Sequence, residues 1–496
     1  MSIEKTPHTT HGSRSHGTTR SRSHQHQIKH DKHCSRGPSE FQIMCEPFVA
    51  IHRKMELLLD YGQLLMQNGA NTNHIQRDMM RAASYMGIPP QFVHIHITYM
   101  TLMLNINDEK HSYTVFRKTP LHGVNMTILS TLSKLTWKAI ENNYSLDEFE
   151  DHLKTIKAAP PKYPTPLLGL AAGLACGAFS ILFGATWLAA LVTVICAVIG
   201  FITRYICHHY QINFYFGIVA ASFAATFTAN LINTTFDSGS IVYAMVSCTL
   251  FLIPGVPLIN AVDDMINNHI VSGMTRAMHT LLIVSSMSVG IAMALYFDHV
   301  STFTHLNITP VVVTPIQAIA AAIGAVSFAT IFNTPYRLLW IIAIGGTISV
   351  ITRNILIVDF GFTIVGASFV ASAIIGLLAL KTYKLLRTAP LILSIPSVIP
   401  LIPGVLLYRF LFGLLTINSL TPDNLLFALR SGITGVFTII CIAIGVAIAH
   451  IIARSYLDRK KGDFFAQSAS RTAEIALGIK NCPPQFSTNG TRLLTV

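Results

Sequence analysis

The chain has 496 residues, of which 51% are hydrophobic and 12% charged, with a mean hydropathy of +0.51. A soluble domain carries about 25% charged residues, and the apolar positions here gather into runs near the ~20 residues that span a bilayer. A soluble globular fold is therefore excluded, because too little polar sequence exists to cover those runs. The net charge of +12 reads as the Lys and Arg that collect in cytoplasmic loops and tails of membrane proteins, not as a nucleic-acid surface.

Residues 1–47 form a polar, His-rich tail with seven histidines between His8 and His33. It has no apolar h-region, so no secretory signal is read, and a disordered cytoplasmic segment is expected. Residues 48–158 read as a small cytoplasmic α/β domain. Met55, Leu58, Leu59 and Leu65 recur at helical spacing. Asn71-Thr72-Asn73 offers caps for a second helix with Ile75, Met79 and Ala83 inward, and Gly87-Ile88-Pro89-Pro90 stops it. Val93, Ile95, Ile97 and Tyr99 alternate with His94, His96 and Thr98, which predicts a half-buried strand. TLMLNI and SYTVF continue as strands, and VNMTILSTLSKLTWKAIENN and an acidic stretch near 145–157 close the domain as helices. His94 and His96 share a strand face and read as exposed residues, not as metal ligands.

A stiff linker, 159–165, leads into the membrane region. Ten spans are predicted near 166–184, 187–203, 212–232, 240–262, 277–297, 311–332, 337–351, 355–379, 388–414 and 429–452. Residues 298–314 form an external connection and 454–496 a basic cytoplasmic tail. With the N-terminal domain inside, inside loops and tail carry Arg204, Arg276, Arg337, Lys381, Lys384, Arg387, Arg454, Arg459, Lys460 and Lys461. Outside loops carry Arg353, Arg409 and Arg430. The bias places both termini in the cytoplasm of a multi-pass protein of the inner (plasma) membrane. The eight cysteines are scattered and form no disulfide framework.

Leu-Ile-Pro-Gly-Val occurs at 252–256 and again at 401–405, 149 residues on. Ile202-Thr203-Arg204 and Ile351-Thr352-Arg353 share that offset, as do Pro166 and Pro315, Phe179 and Phe328, Phe183 and Phe332, and Gly217 and Gly366. Two homologous halves follow, 166–297 and 315–453, each with five spans. An odd number turns the second copy upside down, the inverted repeat of many secondary transporters. The expected fold is an α-helical polytopic membrane protein of about ten helices in two inverted five-helix repeats, carrying a small cytoplasmic α/β domain.

A Pro-Gly step removes a backbone donor and loosens the chain. In lipid such a break persists only where protein or a watery cavity satisfies it. The candidate substrate-binding residues are therefore Pro254, Gly255, Pro257, Asn260, Pro403, Gly404 and Tyr408. Charges within membrane segments are functional candidates: Asp263, Asp264, Arg276, Arg353 and Asp359. Asp263 and Asp264 read equally as end-caps of a span or as proton carriers, and Asp359 as an ion-pair partner of Arg353. There is no G-x-x-x-x-G-K-[ST], HExxH or G-x-S-x-G motif, so an ion-coupled carrier is expected, not an ATP-driven pump or an enzyme, and no cofactor or metal is implied.

The residues resemble the bacterial threonine/serine exporter family over roughly 48–452. The N-terminal motif G-x-x-L-x-x-x-G-A-x-T-x-x-I falls on Gly62, Leu65, Gly69, Ala70, Thr72 and Ile75. P-G-x-P-L-x-N-x-x-x-D falls on Pro254, Gly255, Pro257, Leu258, Asn260 and Asp264. H-x-x-x-G-x-x-R falls on His269, Gly273 and Arg276, and P-L-x-P-G-x-x-x-Y on Pro400, Leu401, Pro403, Gly404 and Tyr408. In some members the two membrane halves are separate chains; here they are fused. The resemblance implies export of threonine and serine driven by the proton motive force. The alternatives are a small dicarboxylate such as succinate, whose two charges call for cationic anchors among Arg204, Arg276, Arg353 and Arg409, or a membrane-anchored sensor or scaffold. A small-molecule substrate, protons, the bilayer and a homo-oligomer complete the expected partners.

Overall fold

The computed structural model describes residues 40–107, 112–119, 123–236, 242–296, 314–386 and 389–448. The expected disordered tail up to residue 39, most of the external connection and the C-terminal tail lie outside the described residues. Helix α1, Glu40–Gln67, starts upstream of the expected boundary at 48, because Phe41, Met44 and Phe48 extend its 3–4 spacing.

Helix α2 spans Thr72–Tyr85, with the Asn71 side chain accepting from the His74 amide as its N-cap. Strands β1 (Val93–Ile97), β2 (Thr101–Asn107) and β3 (Ser112–Lys118) form an antiparallel sheet in the order β1-β2-β3. Helices α3 (Met126–Asn142) and α4 (Leu146–Ala158) follow, the latter started by a Ser145/Glu148 capping box. Met55, Leu58, Leu59, Leu65, Ile75, Met79 and Ala83 are buried, together with Leu102, Leu104 and Ile106 of β2. Each such large side chain contributes about 1.5–3 kcal/mol. His94 and His96 are exposed. Two glycines shape this packing. A Cβ on Gly62 would overlap the Met79 sulfur, so α1 and α2 touch at that point, and Gly69 turns the chain at φ +90°.

Asp78 on α2 is fully buried. It accepts from Ser133 Oγ at 2.8 Å, lies 3.2 Å from His74 Nε2 and pairs with Arg81 at 3.3 Å and Arg77 at 3.3 Å. Burial alone would push this carboxyl up; His74, Arg77 and Arg81 outweigh it and hold the group well below the usual carboxylate range. Arg81 also covers the Trp137 ring at 4.5 Å, so the cluster joins α2 to α3.

Among the described residues, seven helices are long and apolar enough to cross a membrane. They are α5 (Thr165–Leu182), α6 (Trp187–His209), α7 (Phe214–Phe236), α10 (Ile270–Tyr296), α12 (Leu339–Val358 with its preceding turn), α13 (Ile364–Leu386) and α16 (Pro422–Ile448). Helix α11, Pro315–Ile331, is shorter at 17 residues. Two further helix pairs, apolar enough when taken together, are each bent at a short break. In the first, α8 (Val242–Ser247) and a 3-10 turn at Leu250–Leu252 meet α9 (Gly255–Ile266) at a bend of 60°. In the second, α14 (Pro390–Val398) and a 3-10 turn at Ile399–Leu401 meet α15 (Gly404–Leu415) at 56°.

Several helices outrun their predicted ends. Arg204, Arg353 and Arg430 lie within α6, α12 and α16, and Arg276 within the second turn of α10. These arginines are thus helix residues and not loop residues. Long cationic side chains keep their stems in apolar surroundings, so a charge does not by itself end a helix.

Both breaks have one cause. The residue before a proline is biased away from the helical region, and Ile253 (φ −65°, ψ 123°) and Ile402 (φ −66°, ψ 124°) are extended to within a degree of each other. Pro254 and Pro403 follow at ψ 67° and 58°. The breaks then pack against one another reciprocally. A Cβ on Gly255 would stand 2.9 Å from Ile402 Cδ1, and one on Gly404 would overlap Ile253 Cδ1. The helices around them recur in the same order at the same offset, and so do the turns: Gly184 after α5 and Asn333 after α11 both hold positive φ.

Replacing Asp78 by Ala should leave Arg81 buried without its partner and cost about 3–5 kcal/mol, seen as a lower melting temperature of the full-length protein followed at Trp137. An unchanged melt would mean that the cluster does not tie α2 to α3. Because the carboxyl is depressed when folded, its contribution is present above the ordinary carboxylate range and should fade as pH drops below about 4. At the breaks, Gly404→Ala should cost about 1–3 kcal/mol by overpacking. Ile253→Ala in the same chain should recover part of that loss, with about 1 kcal/mol of coupling in a double-mutant cycle. Additive effects would show that the two breaks do not touch.

Candidate functional site

The two breaks line a small, partly open cavity. Its walls come in pairs related by the 149-residue offset: Phe179 and Phe328, Leu250 and Ile399, Ile253 and Ile402, Gly255 and Gly404, with Phe183 beside them. Phe179 and Phe328 meet edge to face at 5.8 Å, and each lies tilted at 6.0 Å from its own neighbour, Phe183 or Phe332. The space open to the centre of a water-sized sphere is about 20 Å³, room for one water and too little for an amino acid. The first turns of α9 and α15 begin at this wall. A helix leaves its first N–H groups without intrahelical partners, and the end carries a partial positive charge that suits a carboxylate. Buried hydroxyls of Ser180, Ser247, Thr249 and Ser394 have no hydrogen-bond partner among the described residues. Two of them, Ser180 and Thr249, are chain neighbours of the lining residues Phe179 and Leu250.

A second cluster forms at the far end of α9. Asp264 is fully buried. It accepts from the Thr72 amide at 2.8 Å, the Thr72 hydroxyl at 2.9 Å and the Ser272 hydroxyl at 3.3 Å, and Arg276 Nε lies 2.9 Å from Oδ2. Asn71 Nδ2 donates to Asp263 Oδ2 at 2.5 Å, and Asn267 Nδ2 to the Asp263 carbonyl at 2.8 Å. Asn260 Nδ2 donates to the Gly69 carbonyl and Arg276 Nη2 to the Ala70 carbonyl, both at 3.0 Å, while His269 Nε2 meets Asn73 Oδ1 at 3.0 Å. Tyr99, from the β1–β2 turn, lies 5.3 Å beneath the Arg276 guanidinium and 5.5 Å from the His279 ring. Burial pushes its phenol up to about 12, against the pull of Arg276. The glycine turn and cap of α2 are thus seated on α9 and α10, and the side chains that cap the helix also bind the membrane half.

The predicted site residues therefore divide. Gly255 and Gly404 line the cavity, with Pro254 and Pro403 making the bends beside it. Asn260, Asp263, Asp264 and Arg276 lie two turns and more along α9 and on α10, where they join the α/β domain. The Tyr408 hydroxyl donates to the Val246 carbonyl at 3.4 Å within a buried contact. Pro257 sits in the first turn of α9, which it deprives of one N–H. The expected Arg353–Asp359 ion pair does not form. Arg353 donates to the Pro400 carbonyl at 3.3 Å, and Asp359 is the exposed C-cap of α12. Six residues apart on a helix face different sides, since only spacings of three and four align.

Residues missed from sequence are Phe179 and Phe328, noted for their offset and not as cavity walls, and Asn71 and Thr72, read only as helix caps. The signal for the latter was available. Asn71-Thr72-Asn73 and the Asn260/Asp264/Arg276 motifs are polar sets that each need partners once buried. Among the described residues, no group of His, Cys, Asp or Glu can hold a metal.

A family model described as "Putative threonine/serine exporter" matches residues 56–298, and one described as "Threonine/Serine exporter, ThrE" matches residues 317–452. The chain is similar to the "Threonine/serine exporter" of Corynebacterium glutamicum, 22% identical over 81% of this chain and 82% of that one. The "Probable threonine/serine exporter" of Mycobacterium tuberculosis is 22% identical over 83% and 79%. The "Probable succinate transporter subunit YjjP" of Escherichia coli is 28% identical over 48% of this chain and 92% of its own length. No solved structure matches. Two matched models in succession, broken helices and relatives aligned across both halves lead to one conclusion: the chain is a polytopic membrane protein that belongs to the threonine/serine exporter family.

Proposed function

We infer that this protein is a secondary transporter that exports threonine and serine across the inner membrane, coupled to the proton motive force. The observation that carries this reading is the reciprocal packing of the two Pro-Gly breaks around one cavity with repeat-related walls. Five spans in each half would make the repeats inverted, with the two-fold axis in the membrane plane and the cavity on it. Midplane sites between discontinuous helices are where such carriers bind solute. The ends of α9 and α15 would receive the carboxylate, and Ser180 and Thr249 offer hydroxyl contacts to the ammonium or side-chain hydroxyl. Opening the cavity would mean parting Ile253 from Gly404 and Ile402 from Gly255.

Succinate is the second reading, favoured by the Escherichia coli relative named above. A dianion needs two cations, and among the described residues no Lys or Arg lines the cavity. A zwitterion brings a single carboxylate, which the partial positive charge of the helix ends can receive without a full cation. A sensor or scaffold on a membrane anchor gives no reason for matched breaks. For proton coupling the chosen residue is Asp263: its hydrogen-bond partners are the amides of Asn71 and Asn267, whereas Asp264 is held by Arg276.

The test is accumulation by liposomes carrying only this protein, with labelled threonine, serine and succinate and an imposed proton gradient. Threonine and serine should accumulate in a gradient-dependent manner. Pro254→Ala with Gly255→Ala should remove that accumulation without loss of membrane insertion, and Asp263→Asn should leave downhill exchange but abolish its dependence on the gradient. Accumulation of succinate alone would select the second reading, and accumulation of none of the three by folded protein would sink both.

A further inference from the structure

The α/β domain stands on both membrane halves. Its first foot is the Asn71–Asn73 cap seated on α9 and α10. Its second foot rests on the turn after α11. There the Met126 and Thr127 amides donate to the Phe332 and Asn333 carbonyls at 2.9 and 3.1 Å. The linker adds the Lys162 amide to Asn333 Oδ1 at 2.9 Å and the Tyr163 hydroxyl to the Thr334 carbonyl at 2.7 Å. Asn333 holds φ +53° at this turn, while its repeat mate Gly184 has no side chain to offer. The domain therefore bridges the two halves at the turn after α11.

Each foot leads directly to the cavity wall. Helix α9 runs from Gly255 at the wall to Asp264 at the first foot, about 14 Å at 1.5 Å per residue. The last turn of α11 runs from Phe328 at the wall to the turn at 332–334. The feet differ in kind. The first buries a carboxylate against a guanidinium with charge-assisted bonds, about twice as strong as neutral ones. The second is neutral and set mainly on main-chain carbonyls of a turn.

We propose that the domain is a clasp, which stays with α9 and α10 as one body and lets go of residues 332–334 when the cavity between the breaks opens. The inference rests on the transporter reading above. A space of about 20 Å³ admits an amino acid only if the halves separate. Packed elements move as bodies and not by continuous deformation. A domain attached to both halves must then yield at its weaker foot, and the stronger foot carries its displacement along α9 to the first break.

Hydrogen exchange on the full-length protein in lipid nanodiscs reads the feet without any solute. The Met126 and Thr127 amides should exchange at least about tenfold faster than the Thr72 amide bound to Asp264. Equal protection of the two feet, or the reverse order, overturns the clasp. Disulfides then lock each foot in turn. T127C/N333C joins residues whose main chains already touch, and T72C/S272C replaces hydroxyls whose oxygens lie 2.9 Å apart. Oxidised T127C/N333C should lose transport and regain it on reduction, while oxidised T72C/S272C should keep the rate of its reduced form. Full transport by oxidised T127C/N333C, or loss on oxidising T72C/S272C, overturns the proposal. If the unaltered protein carries no solute, the transporter reading fails and the exchange comparison still decides the clasp, as it does if a cysteine pair fails to assemble.

Discussion

A helix interrupted within a bilayer has to satisfy its freed backbone groups inside the protein, because lipid offers no partner. This constraint governs the membrane region. The Pro-Gly steps at 254–255 and 403–404 stop two helices through the same pre-proline extension, and each finds its cover in the other. The glycines matter here for space: Ile253 occupies the position where Gly404 would carry a Cβ, and Ile402 closes in on the position beyond Gly255. Seen alone, either break is a kink. As a pair, each is a surface that only the other fits. The surrounding phenylalanines extend that fit into a small apolar chamber.

The second constraint is electrostatic. A carboxylate as buried as Asp264 costs several kcal/mol unless charge and hydrogen bonds compensate it. The compensation comes from two domains at once, Arg276 and Ser272 from α10 and Thr72 from the cap of α2. Without the α/β domain Asp264 would keep Arg276 and Ser272 but lose both Thr72 donors, so the joint is held more firmly than a surface ion pair would hold it. The same logic holds Asp78 inside the α/β domain, where His74 and Arg81 do for one helix pair what Arg276 and Thr72 do for the joint.

Much of this was legible in the sequence, because the signals were local or repeated. Period and capping located α2, the three strands and the two closing helices, and the core positions of α1 and α2 followed from apolar spacing. The broken spans were legible because Pro-Gly acts through the residue next to it. What spacing did not reveal was partnership across long separations. Asn260 follows a break by only a few residues and was read as part of its site, while Asp263 and Asp264 were read equally as end-caps of a span or as proton carriers. Yet a helix carries them about 1.5 Å further from the break per residue, and their burial against Gly69–Thr72 depends on a domain 190 residues earlier. Arg353 and Asp359 were paired by sequence proximity, which helical geometry overrules. Arginines within spans were read as loop markers because charge was weighed above the continuity of the helix.

The repeat explains where symmetry is kept and where it is given up. The cavity walls are matched pair by pair, as a chamber between two equivalent halves requires. Along α9 and α15 the match then fails. The positions of Asp263 and Asp264 are taken in the second half by Phe412 and Gly413, and that of Asn260 by Arg409, whose guanidinium covers the Phe427 ring at 5.0 Å. Helix α15 has no carboxylates to offer a domain. Two half-helices that begin alike at the chamber therefore end differently, one fastened by charge to a folded domain and one packed within the membrane region. A symmetric chamber with asymmetric fastenings has one half whose motion is tied to the α/β domain and one whose motion is tied to it only through a neutral turn. The asymmetry lies in the residues that follow each break, and the break itself stays common to both halves.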